Sequence, residues 1–301
     1  MSNLDIQTII IDPQNSFMGH GLASNGFPDP LVIGDYTATL PVVGGVPDMQ
    51  RTAALVDRLG HKINDFHVTL DSHHVIDVAH SAMWRDQDGN MPPPLITGIT
   101  PDDIENRIWI PRAENARLQE LGGKSIREYL IEYANALVQG GAYPFITIWP
   151  EHCLIGSPGH NIQSDLFQSL AEWERKYYAT VNKITKGSNP WTEHYGALKA
   201  EVPLPSDPST DINSGLLEVL ESADMIPVSG EAASHCVMAT INQIADNIGE
   251  EHLKKFYLLT DCMSPVGAVP NGPDFPAIAE QWLKDMEARG MNLTTSEEFL
   301  A

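Results

Sequence analysis

Short continuous apolar runs punctuate this chain, each bounded by turn-forming residues: Ile6 to Ile11, Asn64 to Leu70, Tyr143 to Trp149, Tyr178 to Ile184, Met225 to Val228 and Phe256 to Thr260. Several of the runs, Ile6 to Ile11, Met225 to Val228 and Phe256 to Thr260 among them, do not strictly alternate apolar with polar residues, so as strands they need cover on both faces. Helix-like stretches separate several of them, at Pro47 to Leu59, Ser125 to Val138, Val237 to Asn247 and Pro276 to Arg289. Strand–helix alternation with fully apolar strands predicts an α/β fold, a parallel sheet covered on both faces by helices. Two polar, Pro-rich stretches, Gln87 to Arg112 and Glu201 to Asp211, interrupt the pattern, which resumes after each. Residues 1–301 therefore read as a single domain with an insertion at about 85–142 and a smaller one at about 200–213.

In such sheets the active site lies beyond the carboxyl ends of the strands. Those positions hold Asp12, Asp71-Ser72-His73, Pro150-Glu151-His152-Cys153, Lys186-Gly187, the loop leading to Cys236, and Asp261-Cys262. Cys236 stands where a strand-like run passes into a helical one, and a thiol in the first helical turn is biased toward thiolate by the helix dipole. The plain alternative is a small apolar plug. Asp12 could equally cap a helix and Lys186 could be solvated. Together, however, an acid, a lysine and a cysteine make a working set for amide hydrolysis: the carboxylate shuttles the proton and the ammonium supports the charged forms.

Asp71 and His73 are two residues apart, so on an extended segment both face one way and can share a metal. His80 or His152 could complete the set. One oxygen and two imidazoles suit Zn²⁺ first, and Mn²⁺ or Fe²⁺ would accept them. Phe17, Trp84, Trp149 and Trp191 flank these motifs as core residues or as platforms for a planar substrate. Trp149 beside His152 suits a flat ring carrying an amide. Phe17, Trp149 and His235 are the candidate substrate contacts.

The formal charge is −22, from 18 Lys and Arg against 40 Asp and Glu, which disfavours nucleic acid and anionic membranes as partners. The sequence starts without the basic and apolar segments of a secretory signal, and no apolar run nears the roughly 20 residues of a membrane span. A cytoplasmic location is expected. Cys153, Cys236 and Cys262 form no Cys-x-x-Cys pair and read as separate thiols in a reducing compartment.

The ordered elements Asp12-Pro13-Gln14-Asn15-Ser16-Phe17, Asp71-Ser72-His73, Trp149-Pro150-Glu151-His152-Cys153 with Gly156-Ser157-Pro158-Gly159, Lys186-Gly187-Ser188-Asn189-Pro190, Gly230 to Cys236 and the terminal Thr295 to Leu300 resemble the isochorismatase-like cysteine hydrolases. Within that superfamily the chain is most similar to the nicotinamidase/pyrazinamidase branch. The resemblance implies a three-layer Rossmann-like sandwich with a six-stranded mainly parallel sheet, the isochorismatase-like hydrolase fold. It implies an Asp12–Lys186–Cys236 triad, and a metal held by Asp71, His73, His152 and His80. It also implies an oxyanion hole from the backbone N–H groups of Ala232 and Cys236, with a cis peptide before Ala232. Ser72 and His74 replace the Trp and Pro common in the metal loop, and Glu231 stands where an apolar residue is usual. The expected activity is hydrolysis of a small carboxamide, nicotinamide first, through a Cys236 thioester. The alternatives are another small amide, a metal-activated-water hydrolase with a structural Cys236, or a non-enzymatic binding protein. A homo-oligomer is an open alternative, since superfamily members often associate.

Overall fold

The computed structural model describes residues 4–24, 26–141, 143–267 and 273–301. Its centre is a six-stranded sheet of β1 (Gln7–Ile11), β2 (Asp65–Asp71), β3 (Asn182–Lys186), β4 (Ile226–Gly230), β5 (Phe256–Leu259) and β6 (Asn292–Thr294), in the order β3-β2-β1-β4-β5-β6. Every neighbouring pair is parallel. The chain fills one side of β1, then crosses to the other, so the switch point lies between β1 and β4. Side chains at the carboxyl ends of those two strands converge there.

Alternation along β1 feeds two cores. Ile10 packs in the layer of Met49 and Val56 from α1 (Gly45–Leu59) and of Leu166 and Leu170 from α3 (Ser164–Tyr177). Ile9 and Ile11 pack with Leu216 and Leu220 from α4 (Ser214–Ser222), Ile241 and Ile244 from α5 (Met238–Asn247) and Trp282 from α6 (Phe275–Ala288). All three isoleucines are fully buried, worth about 1.5–3 kcal/mol each. This is why β1 reads as a continuous apolar run. A third cluster gathers Met83, Trp84 and Ile99 with Leu130, Tyr133 and Leu137 of α2 (Ile126–Gln139), and it reaches Trp191 and Leu204. The expected insertion thus packs in an apolar cluster shared with residues outside it; residue 142, where it ends, lies outside the described residues. Ser125 caps α2 through a capping box with Glu128.

Three strand expectations need correction. Tyr143 to Trp149 does not enter the main sheet: only Ile146–Thr147 is a strand, paired antiparallel with Gly98–Ile99. Pro144 cannot donate to a ladder, and the run serves the insertion's apolar cluster instead. The sixth strand is Asn292–Thr294, too short at three residues to register as a run. The run from Tyr178 also starts later than expected, because Tyr178 ends α3 in the left-handed conformation at φ 53°. Amphipathic α3 and α4 were not anticipated.

Candidate active site

Strand register sets the first contacts. Asp71 and Lys186 are direct partners at the ends of β2 and β3, and Ile11 and Gly230 are partners at the ends of β1 and β4. A Cβ on Gly230 would lie 2.1 Å from the Ile11 carbonyl oxygen, and its φ is 133°. Only glycine lets β4 turn away so close to β1. Beyond it the Glu231–Ala232 peptide is cis, as the resemblance implies. The chain then makes a π-helical turn over Ala233–Val237 before α5, with Val237 N–H donating to Ala232 O at 3.2 Å. Cys236 lies in that turn rather than in a regular first α-helical turn.

Lys186 is the hub. Its Nζ donates to Asp71 Oδ1 at 2.9 Å, to His194 O at 3.0 Å and to Cys236 Sγ at 3.7 Å. Asp12 Oδ2 is also 2.9 Å away, a close charge contact not aligned as a hydrogen bond. Burial disfavours the ammonium, but the Asp12 and Asp71 carboxylates override it and hold Lys186 well above its ordinary value. Asp12, with φ 45° at the strand end, is fixed by Thr69: the Thr69 hydroxyl donates to Asp12 Oδ1 at 2.6 Å and accepts from Asp12 N–H at 3.0 Å. Burial, opposed by Lys186, raises the Asp12 carboxyl above the usual range. Burial likewise pushes the Cys236 thiol well up despite Lys186. The thiolate bias expected from a helix start is therefore outweighed by desolvation, and the resting thiol keeps its proton.

Asp71 has a second face. Its Oδ2 lies 3.0 Å from His73 Nε2 and 3.1 Å from His152 Nε2. One ligand atom from each of these three buried residues lies within 4.8 Å of the others. The far nitrogens are occupied: His73 Nδ1 meets Asp77 Oδ2 at 2.9 Å, and His152 Nδ1 meets the Pro150 carbonyl at 2.8 Å. Both rings so aim Nε2 at the carboxylate, an arrangement that orients metal-binding histidines. Burial would lower His73, yet the Asp71 and Asp77 carboxylates raise it well above the histidine range, an environment that also favours a divalent cation. The residues fit a metal. His80 stands outside that group, with Nδ1 against His74 O at 3.0 Å and Nε2 3.4 Å from His152 Nδ1.

A cavity of about 410 Å³, mouth included, joins the two halves, and Asp71, His152, Lys186, Ala232 and Cys236 line it. Phe17, Trp149 and His235 also line it. Trp149 stands edge-on to His235 at 5.2 Å, and Phe17 edge-on to His152 at 5.6 Å. Trp84 and Trp191 belong to the third core cluster instead. Sequence reasoning missed Thr69, Asp77, Glu193 and Tyr195. Asp77 carried a signal, a carboxylate four residues after His73. Glu193 and Tyr195 lie on an irregular segment with no periodicity, yet both line the cavity. Glu193 accepts from His194 N–H at 3.0 Å and is pushed up to about 7 by burial. Among the described residues no helix is long and apolar enough to cross a membrane.

No protein-family model matches the sequence, and no curated protein matches it significantly. Solved structures do. A yeast nicotinamidase superposes with TM-score 0.57 at 17% identity, over 96% of this chain and 99% of that one. A nicotinamidase/pyrazinamidase from Acinetobacter baumanii gives 0.53 at 17% identity, over 99% and 100%. PnC1 from L. infantum, in complex with nicotinate, gives 0.52 at 17% identity, over 99% and 96%. The architecture is the isochorismatase-like hydrolase fold.

Proposed function

We propose that this protein hydrolyses a small carboxamide through a thioester on Cys236. The observation that carries the reading is the buried contact of Lys186 Nζ with Asp12, Asp71 and Cys236 Sγ at the wall of a cavity. A lysine held fully buried against a thiol and two carboxylates in a cavity wall is placed to control their charge states, the arrangement of a catalytic site.

The resting thiol and the Asp12 carboxylate, made more basic by burial, suit a proton transfer that accompanies attack. Cys236 Sγ bonds to the amide carbon while Asp12 takes the thiol proton, and the Ala232 and Cys236 N–H groups receive the oxyanion. Asp12 then returns that proton to the nitrogen as the C–N bond breaks, releasing ammonia. Water next gives a proton to Asp12 and its oxygen bonds to the thioester carbon. The S–C bond breaks, the acid departs, and the proton goes back to sulfur. Lys186 remains charged throughout and offsets the negative charge on Asp12 or sulfur.

Asp71, His73 and His152 would hold a divalent metal, zinc first; when bound it supplies a Lewis-acid anchor for a ring nitrogen or a water. Phe17, Trp149 and His235 frame a flat ring between this anchor and Cys236, so nicotinamide is the first substrate to try.

The test is ammonia release from nicotinamide, pyrazinamide and aliphatic amides by wild type and by Cys236→Ala. Turnover should fall by at least about 10³-fold in the variant. Equal turnover by the two proteins sinks the covalent reading and favours a metal-activated water.

A further inference from the structure

The turn that carries Ala232 is strapped to a neighbouring segment. Gly230 N–H donates to Cys262 O at 3.0 Å, Ala233 N–H to Ser264 O at 2.9 Å, and Val266 N–H to Ser234 Oγ at 3.1 Å. Glu231 N–H reaches back to Ile11 O at 2.8 Å. Between these ties the Glu231 side chain points into the protein and is fully buried. Its Oε2 accepts from Ser264 N–H at 3.3 Å. Its carboxyl also lies against that of Asp48, a buried residue in the first turn of α1.

Two carboxyl groups bond to each other only with a proton between them. Asp48 has what an anion needs: the Arg51 guanidinium is paired with it, the Ser264 hydroxyl is beside it, and it sits at the positive end of α1. Among the described residues Glu231 forms no ion pair, and burial and Asp48 drive it far above the carboxylate range against the more distant Arg51. One oxygen on each group, Glu231 Oε1 and Asp48 Oδ2, finds no N–H or O–H donor of good geometry. Burial raises both carboxyls, Asp48 included, and a proton on Glu231 directed at Asp48 is the arrangement that partners both orphan oxygens at once.

We infer that the buried Glu231 side chain, bridging Asp48 and Ser264 N–H, is a positioning residue that fixes the backbone turn presenting Ala232 N–H to the substrate oxyanion. The inference rests on the amidase reading above. A leucine of similar size would fill the same space but leave Asp48 and Ser264 N–H without their partner. A glutamine would keep both bonds, its amide N–H donating to Asp48 and its oxygen accepting from Ser264.

The experiment compares Glu231→Gln and Glu231→Leu in the full chain, using whichever amide wild type turns over fastest. Glu231→Gln should keep kcat within about threefold. Glu231→Leu should lose kcat about tenfold to hundredfold with little change in KM, because an oxyanion donor acts in the transition state. Equal loss in both variants, or none in either, overturns the inference. Should Glu231→Leu fail to fold, infrared difference spectra of wild type against Glu231→Gln decide the pairing without any substrate. A protonated-carboxyl band lost at neutral pH supports it, and a carboxylate band lost instead overturns it. Absence of turnover in wild type alongside that carboxyl band counts against the amidase reading alone.

Discussion

Thr69→Val tests the mechanism where the structure is most specific. The Thr69 hydroxyl is the only side chain that both donates to an Asp12 carboxylate oxygen, at 2.6 Å, and accepts from Asp12 N–H, at 3.0 Å, among the described residues. Both residues are fully buried, so no water replaces the lost contacts. Valine has the same shape, so no cavity complicates the result. What remains is an unpaired N–H and an unpaired carboxylate oxygen, each costing about 1–3 kcal/mol, partly relieved if Asp12 takes up a proton. A net loss of about 2–4 kcal/mol follows, a fall in Tm of several degrees. Thr69 is also one of the influences that lower the Asp12 carboxyl against its burial. Without it the carboxyl rises further, and because the proposed mechanism needs the carboxylate as base, the acid limb of kcat/KM should move to higher pH. Below that limb, activity drops about tenfold for every pH unit the limb has moved. Loosened orientation of Asp12 removes about a further tenfold from kcat at the plateau. The assays are pH-resolved ammonia release and thermal unfolding, with Thr69→Ser as the rescue. Wild-type kinetics in Thr69→Val, with an unmoved acid limb, would refute the assignment of Asp12 as the proton carrier.

Two other expectations concern residues behind the cavity wall. Asp77→Asn leaves His73 Nδ1 facing a weaker partner in place of the carboxylate now 2.9 Å away, so zinc affinity, measured by competition with a chelator, should fall about tenfold to hundredfold; unchanged affinity argues against a metal at His73. Glu201 is pushed up by burial from 4.5 to about 7. An acid with a raised folded pKa holds a proton that the unfolded chain has already released, so it costs stability as pH rises from about 4.5 to about 7. Glu201→Gln should therefore flatten the decline in that window and stabilise the protein at pH 8, by an upper bound of about 3 kcal/mol; parallel stability–pH curves for the two proteins contradict this.

Much of the site was legible from sequence because the residues that carry it stand at the ends of strands. Asp12, Asp71 and Lys186 each end a run, and parallel pairing necessarily puts such ends on one edge. His152 was reached through a wrong premise, since the segment before it is not a strand of the main sheet. It arrives because the loop runs beside the metal loop, through bridges His73–Leu154 and His80–Trp149. Thr69 was invisible: on β2 it looks like any strand threonine, and only the β1–β2 pairing aims its hydroxyl at Asp12.

Local sequence determined β1, β2, β4 and β5 and the helices α1, α2, α5 and α6, because burial periodicity is written in adjacent residues. It likewise determined which reactive groups the chain possesses and that strand ends would present them. Tertiary structure alone decided their protonation. Desolvation holds a proton on the Cys236 thiol that helix position would have released, and two carboxylates keep one on buried Lys186. Tertiary packing also decided that Glu231 meets Asp48 across 183 residues of chain rather than solvent. Charge state depends on what surrounds a group in space, through solvent exclusion and Coulomb interactions between segments far apart in the chain, and no local pattern encodes that.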